Sequence, residues 1–332
     1  ERKAFFTSTY EVPVRKGMTV LDALLYIREN LDETLTFRYS CRMGICGSCA
    51  LRVNGKPSPI CNLQVLDVGT DVIVLEPLAN LPPIRDLVVD IEPFFERMKA
   101  VKPYLLRPPG EPEEEFKQDP EVFKRYWPLS PCISCASCLS ACPASIDDAF
   151  LGPSALMTNY RFMIDTRDAG LKERLKLVAD TVWLCTSCYS CSLVCPKEIE
   201  ISDAIVDEKA LLVEEGRIAR RIADVLDNAM TYHNPLGRLQ AKRMEWASEL
   251  EPPLPLASEL GKAPTLLFTC CMMAFEPRFQ EEARAIVGAL RRAGLEMASL
   301  GKEEWCCGDH ILRMGEKGLF EELAEHNAEM FE

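Results

Sequence analysis

Histidine is scarce: three in 332 residues. No Ser-His-Asp set is visible, and no G-x-G-x-x-G opens a helical pattern, so the chain offers neither a hydrolytic triad nor a dinucleotide fold of its own. Positive charge is short as well. Lys and Arg number 38 against 51 Asp and Glu, and a net charge of -13 argues against nucleic acid as a partner. No stretch approaches the roughly 18 apolar residues of a membrane span, so no transmembrane segment is expected. The stretch from Glu1 has no signal-peptide pattern, which points to a cytoplasmic location. The rest of the composition, 48% hydrophobic and 27% charged, is that of a globular protein, and the length suggests two or three domains.

Cysteine is abundant instead, with 16 in the chain. Disulfides suit small secreted domains with scattered pairs. These cysteines fall in tight groups, which favours metal–thiolate ligation in a reducing compartment. The run Cys132-Ile-Ser-Cys135-Ala-Ser-Cys138-Leu-Ser-Ala-Cys142-Pro143 has an echo in Cys185-Thr-Ser-Cys188-Tyr-Ser-Cys191-Ser-Leu-Val-Cys195-Pro196. Each is C-x2-C-x2-C-x3-C-P, the spacing that holds cubane clusters in two-cluster ferredoxins. Zinc also takes C-x2-C pairs, but a triple-cysteine run closed by Cys-Pro favours iron–sulfur. A third group, Cys41, Cys46, Cys49 and Cys61, is spaced as in plant-type [2Fe–2S] sites. Gly44 and Gly47 between them permit backbone angles that a Cβ forbids and let amides approach the sulfurs.

The periodicity around these groups sets the expected elements. Lys3 to Val14 has strand-like alternation, and Lys16-Gly17 makes a turn. Thr19 can cap a helix over Val20–Glu29 with Leu21, Leu24, Leu25 and Ile27 on its apolar stripe. A turn at Asn54-Gly55 returns the chain to Cys61, and Asp71–Glu76 reads as a closing strand. The acidic stretch Glu111–Pro120 reads as a surface excursion. Helices are expected over 154–164, 171–180, 203–213 and 217–232, ending at Asn234-Pro235.

The segment Tyr39-Ser-Cys41-Arg-Met-Gly-Ile-Cys46-Gly-Ser-Cys49-Ala50 resembles the iron–sulfur subunits of succinate dehydrogenases and fumarate reductases. So do Ile84–Asp90, Phe150–Leu156 and Tyr160–Asp168, and the likeness covers roughly residues 1 to 205. The resemblance implies an α+β multidomain chain: a β-grasp [2Fe–2S] ferredoxin domain over 1–104 and a helical ferredoxin domain over 105–245. With the crossed ligation of such runs it implies one cluster on Cys132, Cys135, Cys138 and Cys195, and another on Cys142, Cys185, Cys188 and Cys191. Two departures stand out. Common members lack a cysteine at the position of Cys188 and hold a three-iron centre there, so this chain is expected to hold a second [4Fe–4S] cluster. Common members also place a Trp and a His by a quinone pocket where this chain has Asp147 and Thr186.

From about residue 262 the pattern turns α/β. Pro264–Thr269 reads as a strand, and Arg278 to Gly294 as a helix with Ala283, Ile286, Val287 and Leu290 on one side. Cys270-Cys271 and Trp305-Cys306-Cys307-Gly308 resemble the first half of the cysteine-rich domain of heterodisulfide reductases. In that family such cysteines bind a further iron–sulfur centre or zinc, which makes Cys271, Cys306 and Cys307 candidate ligands in a partial domain over 262–332, with Cys270 a rival to Cys271.

The resemblance thus implies an electron-transfer subunit with no substrate site and no catalytic residue of its own. Its partners would be a FAD-containing flavoprotein and a membrane-associated or cysteine-rich redox subunit, through which it would sit at the inner face of the membrane. Two other readings stay open: a subunit of a thiol:fumarate or heterodisulfide reductase, with thiol chemistry at the C-terminal cysteines, and an interaction module whose cysteines hold zinc for structure only.

Overall fold

A computed structural model describes residues 6–107, 110, 115–260 and 265–332. The chain divides into two compact units, Glu1–Glu208 and Lys209–Glu332.

The first unit opens with α1 (Val20–Asn30), set by a capping box: Thr19 Oγ1 accepts from Asp22 N–H at 3.1 Å while the Asp22 carboxylate accepts from Thr19 N–H at 2.9 Å. Its stripe of Val20, Leu21, Leu24, Leu25 and Ile27 is buried against Leu51, Val53 and Ile60. Those residues come from a hairpin, β1 (Ala50–Val53) and β2 (Lys56–Pro59). Asn54 and Gly55 turn it with φ of 49° and 81°, the left-handed geometry that two-residue hairpin loops need. β3 (Leu75–Glu76) pairs with β1 on its other side, giving the antiparallel order β2-β1-β3.

Two strand expectations give way here. Of Lys3–Val14, residues 3–5 lie outside the described residues and 6–14 form no strand. Tyr10 and Val12 rest on the core, but Phe6 and Val14 are exposed. β1 already has a partner on each side, so alternation at 6–14 finds no place beside it. The strand expected over 71–76 shrinks to its last two residues because the Asn54 side chain takes the Val74 N–H at 2.8 Å and ends the pairing there. Of the acidic stretch Glu111–Pro120, residues 111–114 lie outside the described residues.

A short ribbon, β4 (Pro83–Arg85) and β5 (Val88–Val89), leads into α2 (Glu92–Ala100). The helices after it are α3 (Pro120–Tyr126), α4 (Ser137–Ala141), α5 (Pro153–Met163), α6 (Leu171–Val178), α7 (Ser190–Leu193) and α8 (Ile201–Glu214). A second core joins Ala50, Leu78 and Phe94 to Cys135, Ala136 and Leu139, so the strand-bearing part and the first cysteine run share buried surface.

The second unit holds α9 (Arg220–Tyr232), α10 (Ala257–Leu260), α11 (Cys270–Phe275), α12 (Pro277–Arg292), α13 (Asp309–Arg313) and α14 (Lys317–Phe331). Leu226 and Ala229 of α9 pack with Trp246, Cys271, Val287, Cys306 and Leu323 in one core. In α12 Ala283 and Val287 are buried, whereas Ile286, expected beside them, is 40% exposed. The strand expected over 264–269 is reduced, among the described residues, to a parallel bridge between Leu266 and Ala298, because a left-handed Cys270 (φ 55°) turns the chain straight into α11. Among the described residues no helix is long and apolar enough to cross a membrane.

Arg174 and Asp168 form an ion pair with side chains 0% and 1% exposed. The guanidinium also donates to the carbonyls of Val101, Lys102 and Tyr104, and the carboxylate accepts from Leu106 N–H and Gly170 N–H. One pair thereby fixes residues 101–106 to the start of α6. Arg174→Met strands a buried carboxylate and is expected to cost about 3–5 kcal/mol in urea unfolding followed by far-ultraviolet circular dichroism. A loss below about 1 kcal/mol would show that the pair does not hold this segment.

Candidate iron–sulfur sites

The hairpin builds the first site. The register pairs Ala50 with Pro59, and Ile60 N–H donates to Cys49 C=O at 3.3 Å, so Cys49 and Cys61 meet at its open end. Both are buried, while Cys41 and Cys46 lie on the outer loop, Cys46 exposed. Backbone amides of Met43, Ile45 and Cys46 point at Cys41 Sγ at 3.3–3.4 Å, and Gly44 N–H points at Cys61 Sγ at 3.3 Å. Those amides bring the Cys41 thiol down to about 6, whereas burial pushes Cys49 up to about 11. A loop that presents amide dipoles to sulfur is suited to hold an anionic cluster. Arg38 and Arg42 are both exposed, and Arg42 sits 5.1 Å over the Tyr39 ring.

The two long runs repeat each other in backbone as well as in sequence. Ser134 and Ser187 have φ of 52° and 51°, and Ala136 and Tyr189 have φ of 60° and 63°. Non-glycine residues rarely hold such angles, and here they curl each run so that the third cysteine falls at the second position of a short helix, α4 or α7. Ser187 N–H donates to Cys185 Sγ at 3.4 Å, and the Ser134 backbone amide acts on Cys132 in the same sense, lowering it.

Cys132, Cys135, Cys138 and Cys195 line one cavity with Ser154 and Ile201, although Cys195 lies far along the chain. Burial pushes Cys132 and Cys135 up and Cys138 well up, and all three feel neighbouring thiols. Cys191 is pushed up to about 12 by burial, with Cys185 and Cys142 close enough to add to it. Cys188 is exposed; burial is the largest single influence and raises it, but the contacts of Ser190 and Thr186 together outweigh that and leave it below its ordinary value. Asp147 is exposed and its carboxylate accepts from Ala149 N–H at 2.9 Å, the geometry of a turn.

In the second unit Cys271, Cys306 and Cys307 form a group. Hydrogen bonding to Cys271 and Cys307 pushes Cys306 up, and those two neighbours are both lowered, Cys307 to about 6. Arg243, 1% exposed and paired with the buried Glu304, reaches Cys271 Sγ at 3.7 Å. Cys271 is buried in this group, whereas its rival Cys270 is half-buried in a left-handed turn. Sequence spacing gives no sign of Arg243, a lone arginine well before the cysteines.

All 16 cysteines are free thiols, and the donor sets above suit iron–sulfur clusters: soft sulfur ligands, most of them buried or half-buried, with amides aimed at several of them. The domain family described as "2Fe-2S iron-sulfur cluster binding domain" matches residues 1–96, "4Fe-4S dicluster domain" matches 128–199, and "Cysteine-rich domain" matches 265–332. The fumarate reductase iron–sulfur subunit of Mycobacterium tuberculosis is 43% identical over 201 residues, 59% of this chain and 81% of that one. The chain belongs to the family of fumarate reductase and succinate dehydrogenase iron–sulfur subunits. It is therefore an electron-transfer subunit of an oxidoreductase complex, with [2Fe–2S] and [4Fe–4S] clusters as cofactors. An uncharacterized iron–sulfur protein of Methanocaldococcus jannaschii is 32% identical over 327 residues, 98% of this chain and 64% of that one. This subunit thus spans less than two thirds of that archaeal relative. Its fold is also similar to a chain of the Mycobacterium smegmatis Sdh1 complex in the apo form, with a TM-score of 0.57 and 28% identity over 65% of this chain and 90% of that one.

One contact within the first unit is not legible in any spacing. A Cβ on Gly47 would stand 2.4 Å from Ile133 O and 2.9 Å from Cys135 Cα, so the loop of the first site lies directly on the first long run. Gly47 also has φ of 71°. Gly44 has a similar φ of 68°, but its Cβ would meet nothing closer than Asn62 at 3.6 Å. Gly47→Ala is therefore expected to retain markedly less iron per chain than Gly44→Ala, read by iron content and visible absorption. Equal retention in the two variants would mean that the close approach does not matter.

Proposed function

We propose that this subunit relays single electrons between a FAD-containing flavoprotein and a second redox partner that is membrane-associated or cysteine-rich. The contact of Gly47 with Ile133 and Cys135 carries this reading, because it sets two cysteine groups side by side with no side chain between them. Cys41, Cys46, Cys49 and Cys61 hold the [2Fe–2S] cluster in a β-grasp domain over residues 1–104. Cys132, Cys135, Cys138 and Cys195 hold one [4Fe–4S] cluster, and Cys142, Cys185, Cys188 and Cys191 a second, in a helical domain over 105–245. Residues 262–332 form a partial cysteine-rich α/β domain.

When bound, the clusters each take up and pass on an electron. The chain's own residues space them, exclude water and present amides to their sulfurs. Met43 and Ile45, 69% and 56% exposed beside the exposed Cys46, suit the flavoprotein face. Ile146 and Leu193, 84% and 76% exposed near Cys142 and Cys191, suit the second partner. Such contacts would hold the chain at the inner face of the cell membrane. Asp147 and Thr186 speak against a quinone pocket of the common kind. The grouped thiols Cys271, Cys306 and Cys307, with Arg243 beside them, favour as a second reading a further metal centre or a thiol partner there.

Cys188 is the residue on which the last cluster depends. Cys188→Ser is expected to convert the second [4Fe–4S] centre to a three-iron centre, seen as a new signal from the oxidised protein in electron paramagnetic resonance. A three-iron signal already present in the undamaged parent protein would contradict the assignment, and a colourless protein purified without oxygen would overturn the whole reading.

A further inference from the structure

The repeat between the two long runs extends to four serines that cysteine spacing does not mark. Two residues after the second cysteine of each run stands a serine: Ser137 after Cys135 and Ser190 after Cys188. In each case the hydroxyl lies 3.4 Å from the sulfur of that cysteine. The third cysteine of each run meets a serine from the second position of the next long helix. Cys191 Sγ lies 3.9 Å from Ser202 Oγ of α8, and Ser154 of α5 lines the same cavity as Cys138, its hydroxyl acting to lower that thiol. Cys132, Cys135 and Cys195 share that cavity. Ser137, Ser154 and Ser202 are 0%, 3% and 1% exposed.

Helix capping does not account for them. A capping serine sits before the first helical residue and accepts from an amide inside the helix. Ser154 and Ser202 lie inside their helices, and neither α4 nor α5 has a side-chain cap. What these hydroxyls share is a sulfur neighbour. In the free thiol the S–H can donate to the serine. A metal-bound thiolate has no proton and only accepts, so the serine O–H must turn to the sulfur. Hydrogen bonds to ligand sulfur stabilise the more negative, reduced cluster and raise its potential.

We propose that these four serines are positioning residues that set cluster potentials through the ligand sulfurs: Ser137 and Ser154 on the centre held by Cys132, Cys135, Cys138 and Cys195, and Ser190 and Ser202 on the centre held by Cys142, Cys185, Cys188 and Cys191. This rests on the ligand sets proposed above. The arrangement gives each cubane one donor from its own loop and one from the next long helix, so the two potentials can be adjusted separately although the runs are near copies.

The test is redox-titrated electron paramagnetic resonance on the full chain with its clusters, the second centre being the one that Cys188→Ser converts. Ser202→Ala is expected to make the second centre about tenfold harder to reduce at a fixed potential, roughly 59 mV for one electron, and to leave the first unmoved. Ser154→Ala is expected to do the reverse, and Ser202→Thr, which keeps the hydroxyl, to restore the parent value. A Ser202→Ala protein with full iron and both potentials unchanged overturns the inference. A shift of the first centre instead shows that the ligand sets are wrong, a different failure. Should Ser202→Ala lose its iron, Ser190→Ala at a half-buried position carries the test, and an unmoved second potential there overturns the inference as well.

Discussion

At Gly47 the loop carrying Cys46 and Cys49 lies against the loop carrying Cys132 and Cys135 so closely that a single methyl group would overlap a carbonyl oxygen. Much of the first unit serves that approach. The hairpin turned at Asn54-Gly55 brings Cys49 and Cys61 to one end of a short sheet. The core of Ala50, Leu78, Phe94, Cys135 and Leu139 clamps that end onto the first run. Asn80 adds two side-chain donations, to the carbonyls of Leu139 and Cys142 at 2.9 Å, which hold the run where Cys142 leaves it. Electron transfer weakens with distance, so a wire made of protein must remove bulk between its sites, and glycine is the residue that removes most.

The two long runs show how one device is used twice. A left-handed residue between the first two cysteines and another between the second and third curl each run, and each run ends at Cys-Pro. The differences carry the specificity. The third cysteines, Cys138 and Cys191, are buried in both runs, whereas the second cysteines differ, Cys135 buried and Cys188 exposed. Two nearly identical loops thereby differ in how far their second cysteine is shielded.

The cysteine groups are legible in the sequence because ligation of a compact cluster tolerates few spacings. Helices such as Val20–Asn30 and Pro277–Arg292 are legible because each pairs a clear start with an apolar stripe. The strands over 6–14 and 265–269 were not to be had from alternation alone, since a strand needs an edge to pair with and local propensity does not say whether one is free. Gly47, Arg174, Arg243 and the four serines were hidden for a related reason. Gly47, Arg174, Arg243, Ser154 and Ser202 each act on a partner that only the folded chain brings near, and for Ser137 and Ser190 the local curl of the run turns the hydroxyl to the sulfur.

In the proposed assignment the two-iron and first cubane sites are neighbours, and the proposed electron path depends on that. Two paramagnetic centres at short range relax one another, so the reduced [2Fe–2S] signal should lose its ease of power saturation when the first [4Fe–4S] centre is reduced in the same protein. Power-saturation electron paramagnetic resonance at stepped potentials measures this directly. A close pair predicts a clear change in saturation at the step that reduces the first cubane, and a saturation curve that stays the same through that step would contradict it.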